Sequence, residues 1–328
     1  MSAQSLPLVS VVTPVYNCEE HFAECIESIL AQTYSNWEYT IVNNCSSDGT
    51  LEIAESYARK DSRIRIVTNE KHVWIIENHN IAFRTISPLA QFCKIVFADD
   101  WLFPRCIEEM VGVAQSHASV GVVGAYGFDG IKVLWEGLPY PSYCVPGHQV
   151  CREKLLGGPY FLGSATNLLF RADVVRQRPA FFNDDHLHAD MTAFLDVLGS
   201  SDFGFVHQIL SFCRRPERST STFAKDYNTF QLGSLHALLK FGSLYLTKEE
   251  LNQRLRAETT KYYRFLAKSV LRMRDKEFWD YHRKELAKLG LSLNRPRLAG
   301  RTVLEIGETL LRPRDAWDGI RTWWLRAR

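Results

Sequence analysis

The sequence predicts an α/β fold: a mostly parallel sheet flanked by helices over residues 1–222, then a basic helical extension over 223–328. Three observations carry that expectation. In the first half, β-branched apolar runs alternate with segments of helical periodicity, the pattern of a parallel sheet covered on both faces. Polar clusters follow the apolar runs directly, at Asn43-Asn44, Thr68-Asn69 and Asp99-Asp100. In such folds ligands sit beyond the carboxyl ends of the strands. Charge also divides the chain. Residues 1–222 hold 17 Lys and Arg against 25 Asp and Glu, net −8, whereas 223–328 hold 22 against 12, net +10.

The elements follow in order. VSVVTPVY (9–16) reads as a first strand, and CEEHFAECIESILAQT as a helix with Phe22, Ile26, Ile29 and Leu30 at helical spacing. YTIVNN (39–44) is a second strand. SSDGTLEIAESYARK supplies a turn and helix, with Ser47 or Asp48 as its cap. IRIVTN (64–69) and KIVFA (94–98) are the third and fourth strands, and VGVVGAYGF (120–128) is another. Residues 129–163, rich in Gly, Pro and Tyr, read as irregular loop with a short helix. ATNLLFRADVV and FGFVHQILSFCRR read as later strands around the helical HADMTAFLDVLG, and the pattern turns helical from about residue 223.

Composition excludes several classes. A 46% hydrophobic and 23% charged chain is ordinary globular protein. No apolar run approaches the roughly eighteen residues of a membrane span. The amino terminus lacks a basic start and long apolar core, so no secretory signal is expected. Eight cysteines without a Cys-x-x-Cys pair suggest reduced thiols in a cytosol. No nucleic-acid motif accompanies the basic tail, and nucleic acid is not an expected partner.

The adjacent Asp99 and Asp100 pose the sharpest question, since two carboxylates cannot both ionise cheaply when partly desolvated. Either one caps the following helix, RCIEEMVGVAQSH, or a cation or a hydrogen-bond network compensates the pair. The order and spacing of VSVVTPVYN, IVNNCSSDGT, FADDWLFP, FRADVV and LHAD resemble the family-2 glycosyltransferases of the GT-A fold, over roughly residues 8–222.

That resemblance implies a GT-A-type, Rossmann-like sheet and transfer of a sugar from a nucleotide-diphosphate donor to a hydroxyl of a glycan or lipid-linked acceptor. It aligns Thr13, Pro14, Tyr16 and Asn17 with the loop along the nucleotide, and Asn44 with the acid that bonds the base. Ser46 and Asp48 match the turn behind it, and Asn80 a helical Asn leading towards the metal strand. Asp99, after Ala98, matches the last carboxylate of the Asp-x-Asp signature, and Asp100 the acid that often follows. Asp190 falls at the catalytic base. The family's cofactor is a divalent cation, Mg2+ or Mn2+, expected on Asp99 and Asp100. Two departures stand out: Asn43-Asn44 replaces the commoner Asp-Asp, and Phe97 replaces the first metal acid. One base and an in-line displacement imply inversion at the anomeric carbon.

Further expectations attach to other segments. HQILSFCRRPERSTS, with His207, Arg214, Arg215 and Ser219, lies where relatives close over the donor, and Arg215 is the residue expected on the diphosphate. Tyr140, Tyr143, Tyr160 and Phe161 occupy the variable segment that would face the acceptor. His186-x-His188-x-Asp190 offers a rival, a zinc motif of metallohydrolases, but Met191 stands where that motif continues with His. A non-catalytic sugar-nucleotide binder is the other alternative. In the terminal RPRDAWDGIRTWWLRAR, Trp317, Ile320 and Trp324 would share one helical face. Such a cationic segment suits an anionic membrane, with packing on the catalytic domain or a homodimer contact as its rival. The expected compartment is the bacterial cytoplasm, at the inner face of the membrane, and the expected task is assembly of a surface polysaccharide.

Overall fold

The computed structural model describes residues 6–159, 162–182, 188–215 and 220–311. The chain falls into two compact units that divide between residues 219 and 220.

Unit 1 opens with β1 (Val9–Val15), α1 (Phe22–Leu30), β2 (Trp37–Asn43), α2 (Thr50–Ala58), β3 (Ile64–Thr68), α3 (Ile75–Arg84) and β4 (Phe92–Ile95). It continues through β5 (Trp101–Leu102), α4 (Cys106–Ser116), β6 (Val120–Phe128), β7 (Val133–Leu134), β8 (Cys144–Val145) and α5 (Gly147–Leu155). A 3-10 turn (Ala165–Asn167) leads into β9 (Leu168–Arg171), α6 (Ala172–Arg176), α7 (Ala189–Val197) and β10 (Asp202–Phe212). The strands form one sheet in the order β3-β2-β1-β4-β9-β6-β10-β5, with β7 on β6 and β8 on β10.

Strands β3, β2, β1 and β4 are mutually parallel, and β9 runs antiparallel between β4 and β6. Because β10 is parallel to β6, the carboxyl ends of β1, β2, β4, β6 and β10 share one edge. All seven β1 residues are buried, which explains a run of apolar residues without alternation. Helix α1 buries Phe22, Cys25, Ile26 and Ile29, an i, i+3, i+4, i+7 stripe laid against the sheet.

The first-half elements match the sequence reading closely. The middle differs. Residues 129–163 contain β7 and β8 besides the short helix α5. ATNLLFRADVV divides, only Leu168–Arg171 being strand while Ala172–Arg176 turns helical. Helix α4 starts at Cys106 with Arg105 as its cap residue, so neither Asp99 nor Asp100 caps it.

One buried cation fastens the middle of the sheet. Lys94 on β4 has no exposed surface, and its ammonium donates to the carbonyls of Thr166 and Leu168 (3.1 Å to the latter). That fixes the 3-10 turn against β4. In return, Thr166 Oγ1 accepts the Phe97 N–H at 3.0 Å, and Asn167 bridges the Ala125 carbonyl and the Ser211 hydroxyl.

Unit 2 consists of α8 (Thr220–Asp226), α9 (Thr229–Tyr245), α10 (Lys248–Leu271), α11 (Lys276–Lys288) and α12 (Arg295–Leu311). Leu232, Leu235, Tyr262, Leu266, Phe278 and Leu286 make its core. Thr247 and Glu250 close a capping box at the start of α10. Helix α12 is tied to α10 through Glu305, buried between Arg264 and Arg301. Among the described residues no helix is long and apolar enough to cross a membrane. The terminal segment expected to meet a membrane, with Trp317, Ile320 and Trp324, lies outside the described residues.

Replacing Lys94 by Met would keep the stem's bulk but strand two buried carbonyls. Each unsatisfied group costs about 1–3 kcal/mol, so Lys94→Met should lower unfolding free energy by about 2–6 kcal/mol. Urea unfolding of the two proteins checks this.

Candidate functional site

Two loops at the carboxyl edge zip together. Asn17, after β1, adopts a left-handed φ of 46°. Its N–H donates to Ser46 Oγ at 3.0 Å, and its side-chain oxygen accepts the Ser47 N–H at 2.8 Å. Glu19 N–H donates to the Asp48 carboxylate at 3.1 Å, and Gly49 N–H returns a bond to Glu19 at 2.6 Å. Burial opposes ionisation of Asp48, but bonds from Thr50 and the Glu19 N–H outweigh it and hold the carboxyl below its usual range. Asn17 and Asp48 therefore brace the loops. Tyr16 stands out from them, 49% exposed, with His72 edge-on at 4.6 Å. His72 escaped the sequence reading because a lone histidine in a polar loop carries no pattern.

Thr13 and Pro14, expected along the nucleotide, have buried side chains. Thr13 has no exposed surface, and its Oγ1 accepts the Tyr39 hydroxyl proton at 2.9 Å; Pro14 is buried beside it. Asn44, expected on the base, is likewise buried and occupied. Its oxygen accepts from Val73 N–H and Asn69 Nδ2, both at 2.9 Å, and its amide donates to the Val73 carbonyl. Asn69 also bonds Asn78 at 2.8 Å. These amides knit β2, the loop after β3 and α3 into one wall. Asn80 is also spent structurally, clasping the Phe182 backbone through both its amide atoms at 2.8 and 2.9 Å.

The acid pair follows β4. Ala98 is buried, Asp99 half-buried and Asp100 buried. Asp100 accepts the Arg214 N–H at 3.0 Å and is bonded by Thr166 and Cys213. Burial and then the Asp99 charge push its carboxyl up to about 7, against those bonds. Burial also raises Asp99, opposed by its own N–H, His21 and Arg214. Arg214, not Arg215, attends the pair: its Nε donates to the Asp99 carbonyl at 3.1 Å and its guanidinium pairs with Glu24. Arg215, expected on the diphosphate, pairs with Asp129 at 3.0 Å. Two successive arginines leaving an irregular strand could not be assigned to faces by periodicity.

Phe97, at the position of the missing first acid, stacks on His79 with ring centroids 5.0 Å apart. Burial lowers the His79 pKa to about 4, so that ring is neutral at physiological pH. Asp190 lies in the first turn of α7, whose cap residue is His188. Its carboxylate accepts the Met191 N–H at 2.7 Å, and burial raises it to about 6. Of the rival zinc motif, His186 lies outside the described residues, as do Asp184, Asp185, Tyr160, Phe161 and Ser219.

Among the described residues, no group of three or more His, Cys, Asp or Glu side chains converges as a metal cage. The acid pair nonetheless fits Mg2+ or Mn2+, which prefer oxygen ligands and complete their shells with substrate phosphate and water. Its raised carboxyls lack a full counter-charge. Asp100 is already engaged by protein donors, so Asp99 is the more available ligand.

The family model for glycosyl transferase family 2 matches residues 10–177. This chain belongs to that family. It is 35% identical to EpsE of Bacillus subtilis, itself assigned only provisionally as a glycosyltransferase, over 160 residues covering 46% of this chain and 56% of that protein. The chain spans about half the length of the curated relatives it matches. Among solved structures, S. aureus TarS 1–349 in complex with UDP-GlcNAc aligns with a TM-score of 0.62 at 15% identity, covering 87% of this chain and 80% of that one. The mannosyltransferase PcManGT of Pyrobaculum calidifontis, in complex with GDP-Man and Mn2+, aligns with a TM-score of 0.50 at 16% identity, over 97% and 85%. These two likenesses bear on the fold, which is the GT-A type.

The raised Asp100 carboxyl has a consequence for stability. Its folded value, about 7, lies above that of an unfolded aspartate, about 3.9. Folding thus takes up a proton, and the associated stability is present below about pH 4 and lost as pH rises through 7. Metal-free protein should melt a few degrees lower at pH 7.5 than at pH 5, and Asp100→Asn should flatten that decline. Thermal scans across the range provide the measurement.

Proposed function

We propose that unit 1 transfers a glycosyl group from a nucleotide-diphosphate sugar to a hydroxyl of a glycan or lipid-linked acceptor, with inversion and with the aid of Mg2+ or Mn2+. The carrying observation is the pair of raised, adjacent carboxylates at the carboxyl end of β4, attended by Arg214. Support comes from the family, and from structural neighbours holding UDP-GlcNAc and GDP-Man with Mn2+. Assembly of a bacterial surface polysaccharide at the inner face of the membrane is part of the same reading.

The chain's own residues take these roles. Tyr16 and His72 offer an exposed aromatic pair against which a base can stack. The Asn17–Ser47 and Glu19–Asp48 bonds hold that loop in place. Asp99 and Asp100 would hold the cation, which when bound neutralises charge developing on the departing diphosphate. The Arg214 guanidinium adds fixed positive charge beside them. Asp190, raised by burial, takes the proton of the acceptor hydroxyl as the new bond forms. A base with a pKa near 6 is ionised at neutral pH yet still a useful proton acceptor.

Asp190→Asn keeps size and polarity but removes the base. Transfer should fall by at least about 10²-fold while donor affinity and melting temperature stay near wild type. Wild-type kcat/KM should decline as pH drops through about 6, because a protonated Asp190 cannot accept. A non-catalytic binder would show donor affinity with no transfer to lose. Chelation should abolish turnover, Mn2+ or Mg2+ should restore it, and Asp99→Ala should weaken donor binding; full activity after chelation would remove the metal from the scheme. For the membrane, the whole chain should co-sediment with anionic vesicles more than a chain ending at Leu311, and equal sedimentation would remove that role from residues 312–328.

A further inference from the structure

An aromatic shelf stands beside β10 in unit 1, four strands along the sheet from β1. Tyr140 is 74% exposed and Tyr143 45%, high values for rings that bury well elsewhere in the molecule. His207 on β10 lies edge-on to both, with centroids 5.2 and 5.7 Å away. The shelf is built rather than draped. His207 Nδ1 shares a hydrogen bond with the Tyr126 hydroxyl at 2.9 Å, and Nε2 lies 3.1 Å from the Ser142 carbonyl. Phe205 packs under His207 at 5.0 Å, and its N–H donates to the Tyr143 carbonyl at 3.1 Å. Strand β8 then pairs Cys144 with Gly204. Both ring nitrogens of the histidine are engaged and the tyrosine backbone is pinned, so the exposed rings are presented in a fixed attitude.

The strand register places this shelf on the same edge of the sheet as the acid pair. Lys94 pairs with Leu169, Leu169 with Val123, and Val123 with Gly204. Phe97 lies three residues beyond Lys94, and His207 lies in an irregular stretch of β10 where Val206 faces Ala125 and Ile209 faces Tyr126. Both positions thus lie towards the carboxyl edge, on strands three spacings, roughly 14 Å, apart. An extended acceptor laid along this edge would run from the acid pair towards the tyrosines.

We propose that Tyr140 and Tyr143, braced by His207, form a subsite for a sugar ring of the acceptor. The inference rests on the transfer reading given above and names the chemistry of its second substrate: a glycan whose pyranose face stacks on phenol rings. Aromatic side chains present a large rigid face at little entropic cost, while their hydroxyls bond the rim of a sugar. The tyrosines' hydroxyls are already hydrogen-bonded to each other. Stacking on the ring face, more than hydroxyl contact, is thus the main attraction.

The test is saturation-transfer NMR on the whole chain with methyl glycosides of glucose, galactose, mannose and N-acetylglucosamine as probes. At least one should receive saturation from the wild type. Tyr140→Ala and Tyr143→Ala should each weaken that probe by about tenfold or more, and Tyr140→Phe should retain most of the binding. Because Tyr140 is mostly exposed, its loss leaves the fold standing, and an unchanged melting temperature verifies that. Absence of any glycoside contact in the wild type, or equal contact in the alanine variants, overturns the subsite. Nucleotide-sugar binding to wild type is measured separately. If that binding is absent while glycoside contact still depends on Tyr140, the shelf stands and the transfer reading fails.

Discussion

The ammonium of Lys94 is the constraint on which the middle of unit 1 depends. A lysine with no exposed surface must place its charge on acceptors, and here the acceptors are backbone carbonyls of the 165–168 turn. Burial lowers its pKa, while nearby Cys106, Cys213 and Asp100 oppose that fall. The turn it holds delivers Thr166 to Phe97 and Asp100, and Asn167 to β6 and β10. Four strands and the acid pair thus meet around one short turn. An apolar residue at position 94 would pack as well but could not hold those carbonyls.

The same economy governs the loops that follow β1, β2 and β3. Polar residues at the strand ends mostly bond protein partners: Asn17 with Ser46 and Ser47, Asp48 with Glu19 and Thr50, Asn44 with Asn69 and Val73. Their work is to hold loop geometry, and what they leave facing outward is Tyr16 with His72, and Asp99. A motif read from sequence marks where a site is; burial and bonding decide which of its members can touch anything.

How much was legible follows from the same distinction. The strands β1 to β4 and helices α1, α2 and α4 were readable because buried β-branched runs and helical stripes each follow from one period. The two-residue strands β5, β7 and β8 were not, because two residues carry no period and their pairing is set by long-range register. The position of Asp99 and Asp100 at a strand end was visible from KIVFA alone, but their division of labour was not. It depends on the Arg214 N–H, 114 residues away in sequence. Lys94 was passed over as one charge in a strand, since nothing local announces a carbonyl partner 72 residues on.

The wall of amides carries a consequence of its own. Asn44, Asn69 and Asn78 bond through carboxamides, which neither gain nor lose protons across the physiological range. The acidic side of the site does titrate, with Asp190 near 6 and Asp100 near 7. Architecture and reactivity are thereby assigned to different functional groups, one inert to acid and the other responsive. Had the wall been made of aspartates, the first effect of acidification would fall on its shape. With amides there, a mild acid shift reaches the chemistry while the walls keep their form, and returning to neutrality needs no refolding of them.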